Sequence, residues 1–242
     1  MSHLKHVGPI TVEVAPGHAP EGDKLGVSPT YRNLAAVDEL PTQLDGASTL
    51  FELFESSVTK FGDRACLGWR PIVDDGQAGS YQYLTYNECK EKARALASSL
   101  SHCGITRGGK VGVYSANSVN WMLAIRAADV ISAAIVPIYD SLGESAVEYI
   151  VKHSELTVAL VETSKLVPFA KVASSIADQV KNVVIMDDSS KLSAAVSSAV
   201  DTIKGAGLSV HSWEEFMSLG AGKEFQTDPP KPDDVACIMY TR

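Results

Sequence analysis

From Lys110 onward, short unbroken apolar runs alternate with longer stretches whose apolar residues recur at helical spacing. The runs are KVGVYS (110–115), AAIVPI (133–138), TVALVE (157–162), NVVIM (182–186) and LSVHS (208–212). Between them lie SVNWMLAIRAADVIS (118–132), SLGESAVEYIVKH opened by Ser141 and Glu144, KLVPFAKVASSIADQ broken or started near Pro168, and SKLSAAVSSAVDTIKG; SWEEFMSLG follows, capped by Ser212 and Glu215. A strand wet on one face alternates apolar with polar residues, whereas these runs stay apolar and so require cover on both faces. The pattern predicts βαβ units: an α/β fold with a mostly parallel sheet and helices on both faces.

Upstream the pattern differs. Residues 1–47 carry Pro9, Pro16, Pro20, Pro29 and Pro41 with glycines between them, which predicts an extended amino-terminal arm with little core, ahead of one domain over 48–242. Thr49 and Glu52 form a capping-box pair, and Leu50, Phe54, Val58 and Phe61 share one face of the docking helix they open. RACLGW (64–69) and SYQYL (80–84) flank DDGQAG and predict a small β-hairpin. Thr85 with Glu88 opens a helix whose Cys89, Ala93, Leu96, Leu100 and Cys103 share a face and which Gly104 ends. Beyond Gly222 a proline-bearing connector, KEFQTDPPKPDD, leads to DDVACIMYTR, in which Val235 to Tyr240 read as a further strand. VACIMY has no polar face, so without neighbours it is expected to be poorly held, as a weak tail on a body spanning roughly 48–222.

Twenty-one basic against 29 acidic residues give a net charge of −8, which argues against broad affinity for nucleic acid or an anionic membrane. Cys66, Cys89, Cys103 and Cys237 make no CxxC pair and no metal-ligand spacing with the six histidines, so reduced thiols are expected. The first twenty residues lack the apolar core of a secretory signal, and Arg126 and Asp129 interrupt the longest apolar stretch, so no membrane span is expected.

GITRGGK (104–110) imitates the spacing of a phosphate-binding Walker loop, but Val111 stands where a metal-binding hydroxyl is needed and the loop precedes a strand. It reads as a helix stop and a tight turn. No GxGxxG, GxSxG or HExxH is present. His102, His153 and His211 stand isolated and read as surface or capping residues; Cys89 and Cys103 read as small core residues, and Trp121 and Trp213 as packing residues. The Asn117-Ser118 helix start and the PIYDSLG turn lie at strand ends, where open parallel sheets bind ligands.

Several blocks together carry a resemblance. ACLGWRP (65–71), YLTYNE (83–88), VYSANSVNWMLAIRA (113–127), VPIYDSLGESAVEYIVKHSE (136–155), SWEEFMSLG (212–220) and DDVACIMYT (233–241) resemble, in order, the amino-terminal part of long-chain acyl-CoA synthetases of the adenylate-forming (AMP-binding) superfamily. The resemblance implies an incomplete amino-terminal part of that fold and a ligase that joins a long-chain fatty acid to CoA, with ATP and Mg, through an acyl-adenylate. In the family a loop reading Tyr-Thr-Ser-Gly-Thr-Thr-Gly, running on to Pro-Lys-Gly, follows a strand like VACIMY. Here Tyr240 and Thr241 match its first two positions and Arg242 replaces the serine. The resemblance therefore assigns Tyr240 and Thr241 to the start of a nucleotide site, no residue to catalysis and none to metal, and implies a chain inactive alone that binds none of these ligands. The alternative is a non-catalytic fragment that pairs with a full-length synthetase, or with itself, through an uncovered sheet edge. By family the expected address is the cytoplasmic side of the endoplasmic reticulum or peroxisome, with peripheral membrane contact; the terminus is not a Ser-Lys-Leu signal.

Overall fold

Proline and glycine leave the first part of the chain too few apolar side chains for a core, and the chain divides into two compact units, Met1–Ser48 and Thr49–Arg242. The structure, a computed structural model, describes residues 10–73, 76–139, 145–187, 189 and 192–241. In the first unit β1 (Thr11–Ala15) pairs antiparallel with β2 (Thr30–Asn33), and none of the described residues is buried. The stretch that reads as an extended arm thus holds a two-stranded ribbon, whose strands are too short and polar to betray themselves by pattern.

The second unit opens with α1 (Leu50–Phe61), where Thr49 Oγ1 accepts from the Glu52 amide at 3.1 Å. Arg126 docks this helix: it donates to the Leu50 carbonyl at 3.2 Å, lies over the Phe54 ring and pairs with Asp129 at 3.1 Å. The expected hairpin forms from β3 (Ala65–Trp69) and β4 (Gln82–Thr85). Its register shifts between Ala65 and Leu67, leaving Cys66 as the extra residue of a β-bulge. Arg70 fastens the loop by donating to the carbonyls of Ala78 and Gly79 at 2.7 Å each. β4 then runs straight into α2 (Tyr86–His102), whose Thr85–Glu88 capping box is complete.

The alternating part of the chain folds in the order β5 (Lys110–Tyr114), α3 (Val119–Val130), β6 (Ala134–Pro137), α4 (Ala146–Ser154), β7 (Val158–Val161), α5 (Leu166–Ala170), α6 (Ala173–Ile176), β8 (Asn182–Ile185), α7 (Ala194–Gly205), β9 (Ser209–His211) and α8 (Trp213–Leu219). The five strands form one parallel sheet in the spatial order β6-β5-β7-β8-β9. Helices α4 to α7 cover one face and α2, α3 and α8 the other, which is why the central strands carry no polar side. α2 and α8 meet at a glycine: a Cβ on Gly220 would lie 2.6 Å from the Ser99 backbone nitrogen. The buried Ser99 hydroxyl there donates to the Met217 carbonyl and accepts from the Gly220 amide.

Three expectations change in detail. The stretch around Pro168 forms two short helices, with Pro168 inside the first turn of α5, where its missing N–H costs nothing. The Ser141–Glu144 cap lies outside the described residues; α4 as described starts at Ala146. Val235 to Tyr240 do not form the six-residue strand that their apolar run predicts. They make a single parallel bridge, Cys237 with Ile135, through two hydrogen bonds of 3.0 and 2.9 Å to the edge strand β6.

What holds the tail is the turn that imitates a Walker loop. Gly104 (φ +88°) ends α2, and the Gly109 amide closes a tight turn onto the Thr106 carbonyl at 2.8 Å, as the spacing predicts. Arg107 projects from this turn onto the connector: it pairs with the carboxylates of Asp228 and Asp234 and donates to the Pro229 carbonyl at 3.0 Å. The Asp228 amide and carbonyl are engaged in turn by the Val130 carbonyl and the Ser132 hydroxyl. Arg107→Ala is therefore expected to leave the sheet folded and to make residues 223–234 severalfold more susceptible to proteinase K, read by timed digestion and mass spectrometry. An unchanged cleavage rate would show that the connector is held by other contacts.

Candidate functional site

Tyr240 and Thr241 lie at the carboxyl end of the sheet, beyond β6, because the bridge at Cys237 runs parallel to that strand. The segment has a two-residue rhythm. Ile238 and Tyr240 pack against the core beneath α4, whereas Val235 and Met239 are 61% and 63% exposed and Cys237 is also exposed. α4 receives Tyr240 with two side chains one turn apart. The Tyr240 hydroxyl lies 2.8 Å from Nδ1 of His153, and its ring meets the rings of His153 and Tyr149 edge-on at 5.7 and 5.9 Å. Burial pushes the Tyr240 phenol above its usual range and Tyr149 adds to this, with a hydrogen bond from Ser154 partly opposing. Thr241 is exposed. His153, isolated in the sequence, is thus brought onto a predicted site residue, a contact that spacing across 87 positions could not reveal.

The second place to look is the switch point of the sheet. The chain leaves β5 toward β6 on one side, then crosses to β7 on the other, so a crevice opens beyond the carboxyl ends of β5 and β7. Here the protein supplies its own anion. Glu162, the first residue after β7, accepts from the Ala116 amide at 2.6 Å, from Ser115 Oγ at 3.1 Å and from the Ser164 hydroxyl. Lys165 lies over the Tyr114 ring, and the Thr163 amide donates to Asp187 at 2.7 Å. A carboxylate in this mouth disfavours a phosphate there, which leaves the β6 side, with Tyr240, as the place where an anionic ligand could be approached. The Asn117-Ser118 start falls beside it and caps α3, Ser118 Oγ accepting from the Trp121 amide; Asp140 to Gly143 of the PIYDSLG turn lie outside the described residues. The only sequence signal for Glu162 is a single acid closing an otherwise apolar run.

His102 and His211 do not converge on either place: His102 meets Lys223 at 2.6 Å and His211 meets Asn182 at 3.1 Å. Among the described residues no three His, Cys, Asp or Glu gather to hold a metal ion, and no helix is long and apolar enough to cross a membrane. As a test for nucleotide, Tyr240 and Thr241 present one exposed hydroxyl and one phenol already engaged by His153. They fit the edge of a phosphate cradle and nothing more.

Burial opposes the Glu162 charge, but the hydrogen bonds from Ser164, Ala116 and Ser115, with Lys165, outweigh it and hold the carboxyl below its ordinary range. A folded pKa below the unfolded one means that its stabilisation is complete above about pH 4.3 and is lost as the pH falls through the lowered value. Glu162→Gln is expected to cost about 1–2 kcal/mol at pH 7 in urea denaturation, and the gap to the parent should narrow at pH 3. A gap of equal size at both pH values would remove the charge from this account.

The comparisons with known proteins fall on the same residues. The family model described as AMP-binding enzyme matches residues 54–241. "Long chain acyl-CoA synthetase 5" of Arabidopsis thaliana is 34% identical over 215 residues, covering 89% of this chain and 31% of the relative. "Fatty acyl-CoA synthetase B" of Dictyostelium discoideum is 28% identical, covering 98% and 34%. The chain therefore spans about a third of the length of the curated relatives it matches. Among solved structures, the didomain of a carboxylic acid reductase from Segniliparus rugosus in complex with AMP superposes with a TM-score of 0.69 at 19% identity, over 80% of this chain and 30% of that one. A long-chain-fatty-acid-CoA ligase from Archaeoglobus fulgidus gives 0.54 at 22% identity, over 79% and 34%. At such identities the structures speak to the fold alone; the family model, which reaches from the helix that Arg126 docks to the residue after Tyr240, establishes that the chain belongs to the AMP-binding enzymes.

Proposed function

We propose that these residues serve as the amino-terminal portion of the adenylation domain of a long-chain fatty acid–CoA ligase. The observation that carries the reading is that the family match runs up to Thr241, while the segment holding Tyr240 is delivered beside β6 at the carboxyl end of the sheet. In this reading ATP, with Mg, supplies the activated phosphate on which the fatty-acid carboxylate is converted before CoA takes the acyl group. The chain's own part is positional. Arg107 fixes the connector, β6 fixes the direction of the following segment, and His153 fixes the Tyr240 ring at the threshold of the phosphate cradle. The exposed stripe of Val235, Cys237 and Met239 supports the same reading, since it is apolar surface that further protein would cover.

Chemistry needs more than this. A triphosphate demands backbone amides that approach closely and cationic donors aimed at the developing charge, and residues 235–241 bring neither a glycine nor a basic side chain. The 242 residues alone are accordingly proposed to be inactive and not to hold ATP, fatty acid or CoA.

A chimera tests this. Residues 49–241 replace the matching segment of the Arabidopsis synthetase, so that Tyr240-Thr241 runs into the relative's own loop. With palmitate, the chimera is expected to exchange pyrophosphate into ATP and to form acyl-CoA, and the 242-residue chain to do neither. A folded chimera without palmitate-dependent exchange would contradict the positional role, and turnover by the short chain would contradict its inactivity.

A further inference from the structure

Two of the four cysteines, neither of them among the site residues described above, are brought together by the hairpin and the helix that follows it. Cys66 is the bulge residue of β3 and Cys89 lies in the first turns of α2. In a regular strand Cys66 and Leu67 would point to opposite faces. Here both pack against one small cluster built on Cys89, Leu84 and Leu123, because the bulge re-aims the extra residue. Cys66 is thus laid against the same cluster that buries the Cys89 thiol, and each thiol perturbs the titration of the other. Cys89 is 1% exposed while Cys66 is only half-buried, so one member of the pair can be reached from solvent.

We propose that Cys66 and Cys89 are a peroxide-oxidisable dithiol, a modification site that closes an intramolecular disulfide between the hairpin and α2. Cys66 is the attacking member. Burial holds the Cys66 thiol above its ordinary value, with Cys89 and the Arg126 charge partly opposing, whereas burial and the Cys66 neighbour push Cys89 up to about 12, so that of the two Cys66 carries the larger thiolate fraction. The Cys66 thiolate attacks one oxygen of hydrogen peroxide, the O–O bond breaks and hydroxide leaves as water once protonated, giving Cys66 sulfenic acid. Cys89 sulfur then attacks Cys66 sulfur, the S–O bond breaks, and the departing hydroxide takes the Cys89 proton as a second water. Two thiols lose two electrons and peroxide is reduced to two waters; a small dithiol reductant reverses the bond. The bulge eases the geometry, since Cys66 has no partner of its own in the β4 ladder and its backbone can adjust without breaking a registered pair.

The test uses the full chain. Because Arg70 precedes Pro71, trypsin leaves Cys66 and Cys89 together in peptide 65–90, and chymotrypsin separates them at Trp69, Tyr81 and Tyr83. Reduced protein is treated with hydrogen peroxide, blocked with iodoacetamide and digested without reductant. The expected result is a 65–90 peptide lighter by two hydrogens and free of alkylation, resolved by chymotrypsin into a Cys66–Cys89 cross-linked pair, and restored to two alkylated cysteines by dithiothreitol. Cys89→Ser is expected to leave Cys66 as a sulfenic acid trapped by dimedone. If both cysteines of the parent remain alkylatable at peroxide doses that fully oxidise the exposed Cys237, or if Cys66 advances to sulfinic acid with no cross-link, the proposal is overturned.

Discussion

Strand β7 has water on neither face: Val158, Ala159, Leu160 and Val161 have no exposed surface. Burying such side chains is worth about 1.5–3 kcal/mol each, and this gain is available only if helices cover the sheet on both sides. The remaining architecture meets that demand. Four helices lie over one face and three over the other, and Gly220 lets α8 approach α2 closely enough to seal the second layer. The docking of α1 through Arg126 and the hairpin that feeds α2 extend the same layer outward. The strand order β6-β5-β7-β8-β9 then opens the crevice at β5 and β7 that Glu162 occupies.

The same demand explains why the predicted site is weakly built. Residues 235–241 reach the sheet at its β6 edge, where one neighbour is available instead of two and only one face is covered. Two backbone hydrogen bonds and the Tyr240 contacts on α4 replace a ladder, while the Arg107 clamp fixes the connector from a distance. Such a segment takes its direction from β6 and α4 without joining the ladder of the sheet, which fits the proposed role of a lead-in to a phosphate loop.

Much of this was legible in local pattern. The unbroken apolar runs at 110–115, 157–162 and 182–186 announce two-sided burial, and the Thr85–Glu88 and Ser212–Glu215 pairs locate helix starts that form complete capping boxes. The α/β class and the family follow from those signals and from the block order. What stayed hidden depends on distance along the chain. Arg107 and Asp228 stand 121 positions apart, and nothing in a turn-like GITRGGK tells which acids its arginine will meet. His153 reads as a surface residue until the tail is laid beside α4. VACIMY reads as a strand because its composition is that of one; where it meets the sheet, and that it meets it through one bridge, depends on β6, a hundred positions away. Cys66 reads as an ordinary strand residue because a bulge leaves no mark in an apolar run.

The contrast between a sheet covered on both faces and a lead-in segment held at its edge is open to one measurement, native-state hydrogen exchange at Leu160 and Ile238. Leu160 is paired on both sides, with β5 and β8, and has no exposed surface, whereas the Ile238 amide donates to the Ile135 carbonyl at the edge of the sheet. The account predicts that Leu160 exchanges with the global unfolding free energy and that Ile238 exchanges at least about tenfold faster, through local opening that leaves the sheet intact. Equal protection of the two amides, or early exchange at Leu160, would contradict it.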